Sequence, residues 1–164
     1  MILSWALRPS GADCPAIPEM LTGLTTSLAA AGIVGLPKTL LADAGYFSAD
    51  NVTAVTQAGI DPLLATGRLT HGEKPPPAPR GRIPNDLTPK QRMTRKLRTL
   101  KGKADYARRK AIVEPVFGQM KVAQDAGQFR LRGTDKTSGE WALHTFCHNL
   151  RKLQNSGWTP QTAI

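Results

Sequence analysis

Apolar residues recur along the chain in two rhythms, and each change of rhythm marks an element. Met1 to Leu7 is a short apolar run that reads as a strand. Ile17, Leu21, Leu24 and Leu28 follow at helical spacing, which predicts a helix from Pro15 to Gly32, ended by Gly32 and Gly35. Leu40-Leu-Ala-Asp43 is a four-residue run read as a buried parallel strand, and Gly45 turns the chain directly after it. Ser48 is placed to cap a helix from Ala49 to Ala58 whose Val52 and Val55 face inward, with Gly59 at its end. Ile60 to Leu64 reads as the next strand. Strand–helix–strand–helix–strand is an α/β pattern and implies mainly parallel pairing.

Beyond Thr66 the pattern changes. His71-Gly-Glu-Lys-Pro-Pro-Pro-Ala-Pro-Arg and Gly81-Arg-Ile-Pro are too rich in proline for a helix or a central strand. They predict an extended, polyproline-like segment that is mobile until it meets a partner. Within it, Thr88, Pro89 and Gln91 have the order of a capping box, which predicts a helix over Thr88 to Thr99. A helix from about Ala104 to Met120 comes next, with Pro115 inside it as a source of a kink and Val113 and Phe117 as core residues. After a loop around Gly127 and Gly133, a last helix runs from about Ser138 to Gln154. Leu143, Phe146, Leu150 and Leu153 form its apolar stripe. The whole reads as one domain: a strand and helix part over 1–66, a basic insertion over 67–103, a helical part over 104–154 and a tail over 155–164.

Charge sharpens this division. The chain has 164 residues and a formal net charge of +10. Between Arg68 and Lys110, 14 Lys and Arg face 3 Asp and Glu, while the rest of the chain is close to neutral. One segment thus carries the excess, either as a solvated linker or as a surface for a polyanion, and counterion release favours clustered over scattered charge. No apolar run is long enough to span a membrane, and the first residues lack the pattern of a secretion signal. Cys14 and Cys147 do not make a disulfide framework and read as reduced thiols, the pattern of a cytoplasmic protein. No Gly-rich phosphate loop or nucleophile elbow calls for a small-molecule cofactor or a hydrolase. His144 and His148 stand at i, i+4 with Cys147 between them, but Thr145 follows the first histidine and no second ligand cluster accompanies them, which falls short of a zinc site.

Two carboxylates hold positions where chemistry is done. Asp43 ends an apolar strand, where α/β sheets bind ligands; it reads either as a metal or substrate contact or as a turn or cap aspartate. Glu114 shares a helical face with Lys110 and Lys121, with Tyr106 close by, and reads either as part of a site or as a surface partner of Lys110.

Leu41-Ala-Asp-Ala-Gly-Tyr-Phe-Ser resembles the strand bearing the second catalytic aspartate of DDE transposases from bacterial insertion sequences. Tyr106-Ala-Arg-Arg-Lys-Ala-Ile-Val-Glu-Pro-Val-Phe-Gly-Gln-Met-Lys resembles the helix bearing their glutamate. Ala65-Thr-Gly-Arg, Gly81-Arg-Ile-Pro and Gly139-Glu-Trp-Ala-Leu are similar to the branch with a long insertion before that glutamate, and the resemblance covers roughly residues 13 to 154. It implies a partial RNase H-like fold, a mixed sheet flanked by helices. It also implies Mg²⁺ or Mn²⁺ in a two-metal site, with Asp43 and Glu114 as catalytic metal ligands. Tyr106, Arg109, Lys110 and Lys121 would contact DNA at the transposon ends, in a possible homo-oligomer. Two metals serve strand transfer by stabilising the attacking and leaving oxygens together. The chain departs from the family in one respect: the first catalytic aspartate, expected well upstream, has no counterpart among the 42 residues before Asp43. Asp13 reads as a loop residue. The expectation is therefore a catalytic-domain fragment that is inactive alone, and the competing expectation is a non-catalytic basic protein that binds DNA or RNA.

Overall fold

The computed structural model describes residues 1–8, 13–67 and 76–158. Arg68 and the stretch from His71 to Pro75 lie outside the described residues.

The first helix, α1 (Ala16–Ala30), buries Ile17 and Leu28, two of the four residues whose spacing predicts it. The strand β1 (Thr39–Ala42) follows, then a single 3₁₀ turn over Ala44–Tyr46. Next comes α2 (Ala49–Gln57), whose first turn is capped by Ser48 Oγ accepting from the Asn51 amide at 3.0 Å. The strand β2 (Asp61–Leu64) pairs with β1 in parallel, Thr39 opposite Asp61 and Ala42 opposite Leu64. Ile17, Val55, Ile60 and Leu64 form the buried cluster between these elements, with Leu21, Leu40 and Val52 packed against it. Among the described residues the sheet has these two strands alone. This is an α/β arrangement consistent with a partial RNase H-like topology.

The predicted strand over Met1 to Leu7 is not formed: these residues carry no ladder. The backbone of Ile2 bonds to a side chain instead. The Ile2 amide donates to Asn149 Oδ1 at 2.7 Å, and Asn149 Nδ2 donates to the Ile2 carbonyl at 2.6 Å. A side-chain amide carries both an N–H donor group and an acceptor oxygen, so it satisfies a peptide unit much as a neighbouring strand would.

Helix α3 (Pro89–Arg98) opens on the predicted capping box of Thr88 and Gln91. It meets α4 (Leu100–Ala123) at Thr99, whose hydroxyl donates to the Lys96 carbonyl at 2.7 Å and accepts from the Gly102 amide at 3.0 Å. The turn is so tight that a Cβ on Gly102 would sit 2.1 Å from the Lys96 carbonyl oxygen. Helix α4 thus begins four residues before the sequence pattern predicts. It continues through Pro115 to Ala123. Helix α5 (Thr134–Asn155) packs back along it.

The apolar pattern of α5 is inverted relative to expectation. Thr145 and His148 are its buried residues, whereas Leu143, Phe146 and Leu150 are 62%, 61% and 54% exposed. At about 100° per residue, the exposed stripe lies roughly opposite the face carrying Trp141, Thr145 and His148. The two histidines hold this inverted arrangement: His148 Nδ1 lies 2.5 Å from Gln119 Oε1, and His144 Nδ1 lies 3.2 Å from Gln124. Their rings are used between α4 and α5, and Cys147 points outward. Burial holds the His148 imidazole below its usual range, helped by the positive charge of the amino terminus and of Lys152. Val113 and Phe117, expected in the core, are also on the outside, 37% and 47% exposed. No helix among the described residues is long and apolar enough to cross a membrane.

Candidate functional site

The carboxyl end of β1 is where strand, 3₁₀ turn and α4 converge. Asp43 leaves β1 in extended conformation and precedes the turn without capping it through its side chain. Its carboxylate is half exposed and accepts from Arg109 Nη1 at 2.9 Å. Tyr106, one turn earlier on α4, donates its hydroxyl to the Ala42 carbonyl at 3.3 Å. The Arg109 guanidinium lies 5.8 Å from the centre of the Tyr106 ring. Two neighbouring residues of one helix therefore bracket Asp43, one through its carboxylate and one through the backbone just before it. Burial raises the Tyr106 phenol above its ordinary range against the opposing pull of Arg109.

Asp13 approaches from the other side. A Cβ on Gly45 would lie 2.5 Å from Asp13 Oδ2, so the Asp13 carboxylate packs closely on the turn after Asp43. Burial raises the Tyr46 phenol, and the carboxylates of Asp13 and Asp43 raise it further. Asp13 and Asp43 thus act on one phenol, a proximity that the sequence, which sets them 30 positions apart, did not signal.

Glu114 stands apart from this group. It is exposed and, among the described residues, forms no ion pair, not even with Lys110. Five residues separate it from Arg109, so it projects about 140° away around the helix from the guanidinium that holds Asp43. No group of three or more His, Cys, Asp or Glu side chains that could hold a metal ion occurs among the described residues. The carboxylates as arranged do not make a cage for a divalent cation, which needs several convergent oxygens.

What Glu114 does share is a stripe. By helical phase, Lys103, Lys110, Glu114 and Lys121 fall within about 40° of one another along α4. Lys103, Lys110 and Lys121 are exposed and form no ion pair among the described residues.

The cations of α3 behave differently. Arg95 Nη2 donates to three successive carbonyls, those of Arg80, Gly81 and Arg82, at 3.0, 2.9 and 3.3 Å. Arg98 donates to the Pro77 carbonyl at 2.7 Å, and Arg92 to the Asn85 carbonyl at 3.2 Å. Lys96 reaches Asp61 and, at 2.8 Å, the Pro62 carbonyl at the start of β2. The described part of the Pro-rich segment forms neither helix nor strand, and it is strapped across α3. Four of the residues counted toward a polyanion surface are thus internal tethers.

A third feature was not foreseen. Phe117 of α4, Trp141 of α5 and Phe129 of the loop between them bring their rings together. Phe117 and Trp141 are nearly parallel with centroids 6.4 Å apart, and Phe129 meets Trp141 edge-on at 6.2 Å. Three isolated aromatics in three segments have no shared period in the sequence, so no pattern announces them.

No curated protein and no solved structure matches the chain. A family model does: Glu114, Tyr106, Arg109, Lys110 and Lys121 lie within the matched span and Asp43 lies outside it. Residues 82–154 match the family described as Transposase DDE domain, a match that supports a transposase relationship for that part of the chain.

Proposed function

We propose that the chain handles transposon-end DNA as part of the catalytic domain of a DDE transposase of the branch with a long insertion before the glutamate. In this reading Asp43 and Glu114 are its catalytic carboxylates, and in the complete enzyme they would be two of the ligands to Mg²⁺ or Mn²⁺. The carrying observation is that Asp43 sits at a strand's carboxyl end with Arg109 and Tyr106 of the family-matched helix upon it. Ligands of α/β sheets gather at that end of the strands. Lys110 and Lys121 contact DNA phosphates through the α4 stripe, and Arg109 passes from Asp43 to a phosphate when DNA arrives, since a guanidinium pairs with phosphate in two-point geometry.

With two carboxylates that do not converge, the chain by itself binds DNA and does not cut it. The test is a pair of assays on the purified chain. Fluorescence anisotropy with duplex DNA should show binding that weakens steeply between low and moderate salt. Incubation of end-bearing DNA with Mg²⁺ or Mn²⁺ should leave it intact. Preference for RNA over DNA of the same sequence would instead support a basic RNA-binding protein. Cleavage lost in Asp43→Ala would show that the site is complete as it stands.

A further inference from the structure

The rings of Phe117, Phe129 and Trp141 border an open cleft of about 300 Å³, with Lys121, Gln128 and His144 also on its wall. Phe117 and Phe129 are 47% and 44% exposed, so the cluster is a surface and not a core. It is also held in place. Glu140, one residue before Trp141, accepts the amides of Arg130 at 2.9 Å and Leu131 at 2.9 Å, which pins the loop bearing Phe129 onto α5. Those backbone bonds hold the Glu140 carboxyl below its usual range. At the loop's start Asp125 takes a positive φ of 53° and pairs with Arg130. The Ala126 amide returns to the Met120 carbonyl at 3.1 Å.

Lys121, on the wall of the cleft, is exposed and forms no ion pair among the described residues. Phe117 and Lys121 stand four residues apart on α4 and so share a face. A preorganised set of exposed rings beside the unpaired ammonium of Lys121 suits a ligand that is both aromatic and anionic.

We propose that this cleft is a stacking platform for an unpaired nucleobase, with the adjoining phosphate on Lys121. The proposal rests on the nucleic-acid reading above and adds strand state to it: the platform takes bases that duplex pairing would hide. Aromatic side chains stack on any base face, so the site is tolerant of sequence. Lys121 continues the α4 stripe, which leads a backbone to the rings.

Trp141 supplies the readout once Trp5→Phe and Trp158→Phe have been introduced into the full chain. An eight-nucleotide oligothymidylate is titrated against an eight-unit abasic chain of equal charge at low salt. Expected are quenching of Trp141 by the oligothymidylate and binding at least about fivefold tighter than that of the abasic chain. Phe117→Ala should abolish the difference, and Phe129→Leu should reduce it. Lys121→Gln should weaken both chains alike. Phe117 is half exposed, so its removal leaves the fold measurable by circular dichroism. Equal binding of the two chains, with duplex binding intact, overturns the platform and leaves the DNA reading standing. Failure of both single strands and the duplex to bind overturns both.

Discussion

Arg109 Nη1 lies 2.9 Å from Asp43 Oδ2, and this contact ties the middle of α4 to the carboxyl end of β1 across 66 positions of sequence. The guanidinium is mostly covered and the carboxylate half exposed, which puts the pair near the surface class, with a coupling of about 0.2–1 kcal/mol. A double-mutant cycle of Arg109→Gln and Asp43→Asn, read by urea unfolding, should return a coupling in that range. Strict additivity would mean that the pair does not form in solution.

The strap over α3 makes a sharper prediction. Trypsin cuts after Arg80 and Arg82, the residues whose carbonyls Arg95 holds. Hydrogen bonds from a charged donor contribute about 1.5 kcal/mol or more, so Arg95→Gln should raise the open fraction roughly tenfold. Cleavage at the two sites should accelerate by a similar factor. Arg95→Lys should also accelerate it, since an ammonium lacks the guanidinium's planar fork. An unchanged rate in both variants would show that the arginine does not hold the strap.

How far the sequence foretells the fold depends on the range of each interaction. The caps at Ser48 and Thr88 and the turns at Gly45 and Gly59 follow from residues within a few positions of one another, and the pairing of Leu40 to Ala42 with Pro62 to Leu64 joins strands linked by one short helix. Tyr106, Arg109 and Asp43 were singled out from their motifs, but their meeting was not. A motif specifies residue types, whereas the meeting depends on how α4 crosses the sheet. The tethers of α3 were hidden for a different reason. Arginine grouped with lysine reads as solvated charge, and a main-chain carbonyl acceptor leaves no trace in residue identity. The inversion of α5 was the largest departure. Its apolar period is clear, but periodicity gives a stripe without saying what covers it, and in the structure His144 and His148 occupy the packed side.

That inversion can be checked with one substitution. Phe146 is 61% exposed, so Phe146→Lys should change stability by no more than about 0.5 kcal/mol. It should also lower the binding of a hydrophobic dye and any self-association, because Leu143, Phe146 and Leu150 are contiguous on the exposed side. Were Phe146 a core residue, truncating it would cost about 3–5 kcal/mol, and a buried lysine would be worse. The two results are far enough apart for thermal unfolding to separate them.

Glu140 gives the loop that carries Phe129 a pH dependence of known sign. Its folded-state carboxyl titrates below its ordinary range because the Arg130 and Leu131 amides bind the charged form. The stabilisation is therefore present above the unfolded value of about 4.3 and is lost as pH falls through the lower folded value. Wild type should be more stable than Glu140→Gln at neutral pH, and the gap should close below about pH 4. A gap that stays constant down to acid pH would mean that the amides do not depend on the charge.

Among the described residues, every hydrogen bond that Arg92, Arg95 and Arg98 donate to the strap ends on a peptide oxygen. The strap is consequently gripped by its contour and not by its spelling. Most of its residues are at liberty to drift toward whatever the outward surface requires, while the three arginines of α3 and Gly81, whose φ of 79° disfavours a side chain, must stay. A library randomised from Pro77 to Arg82 with Gly81 kept should hold its docked path as long as those guanidiniums remain, which makes this stretch the place where new surface chemistry can be written onto the molecule without redesigning its interior.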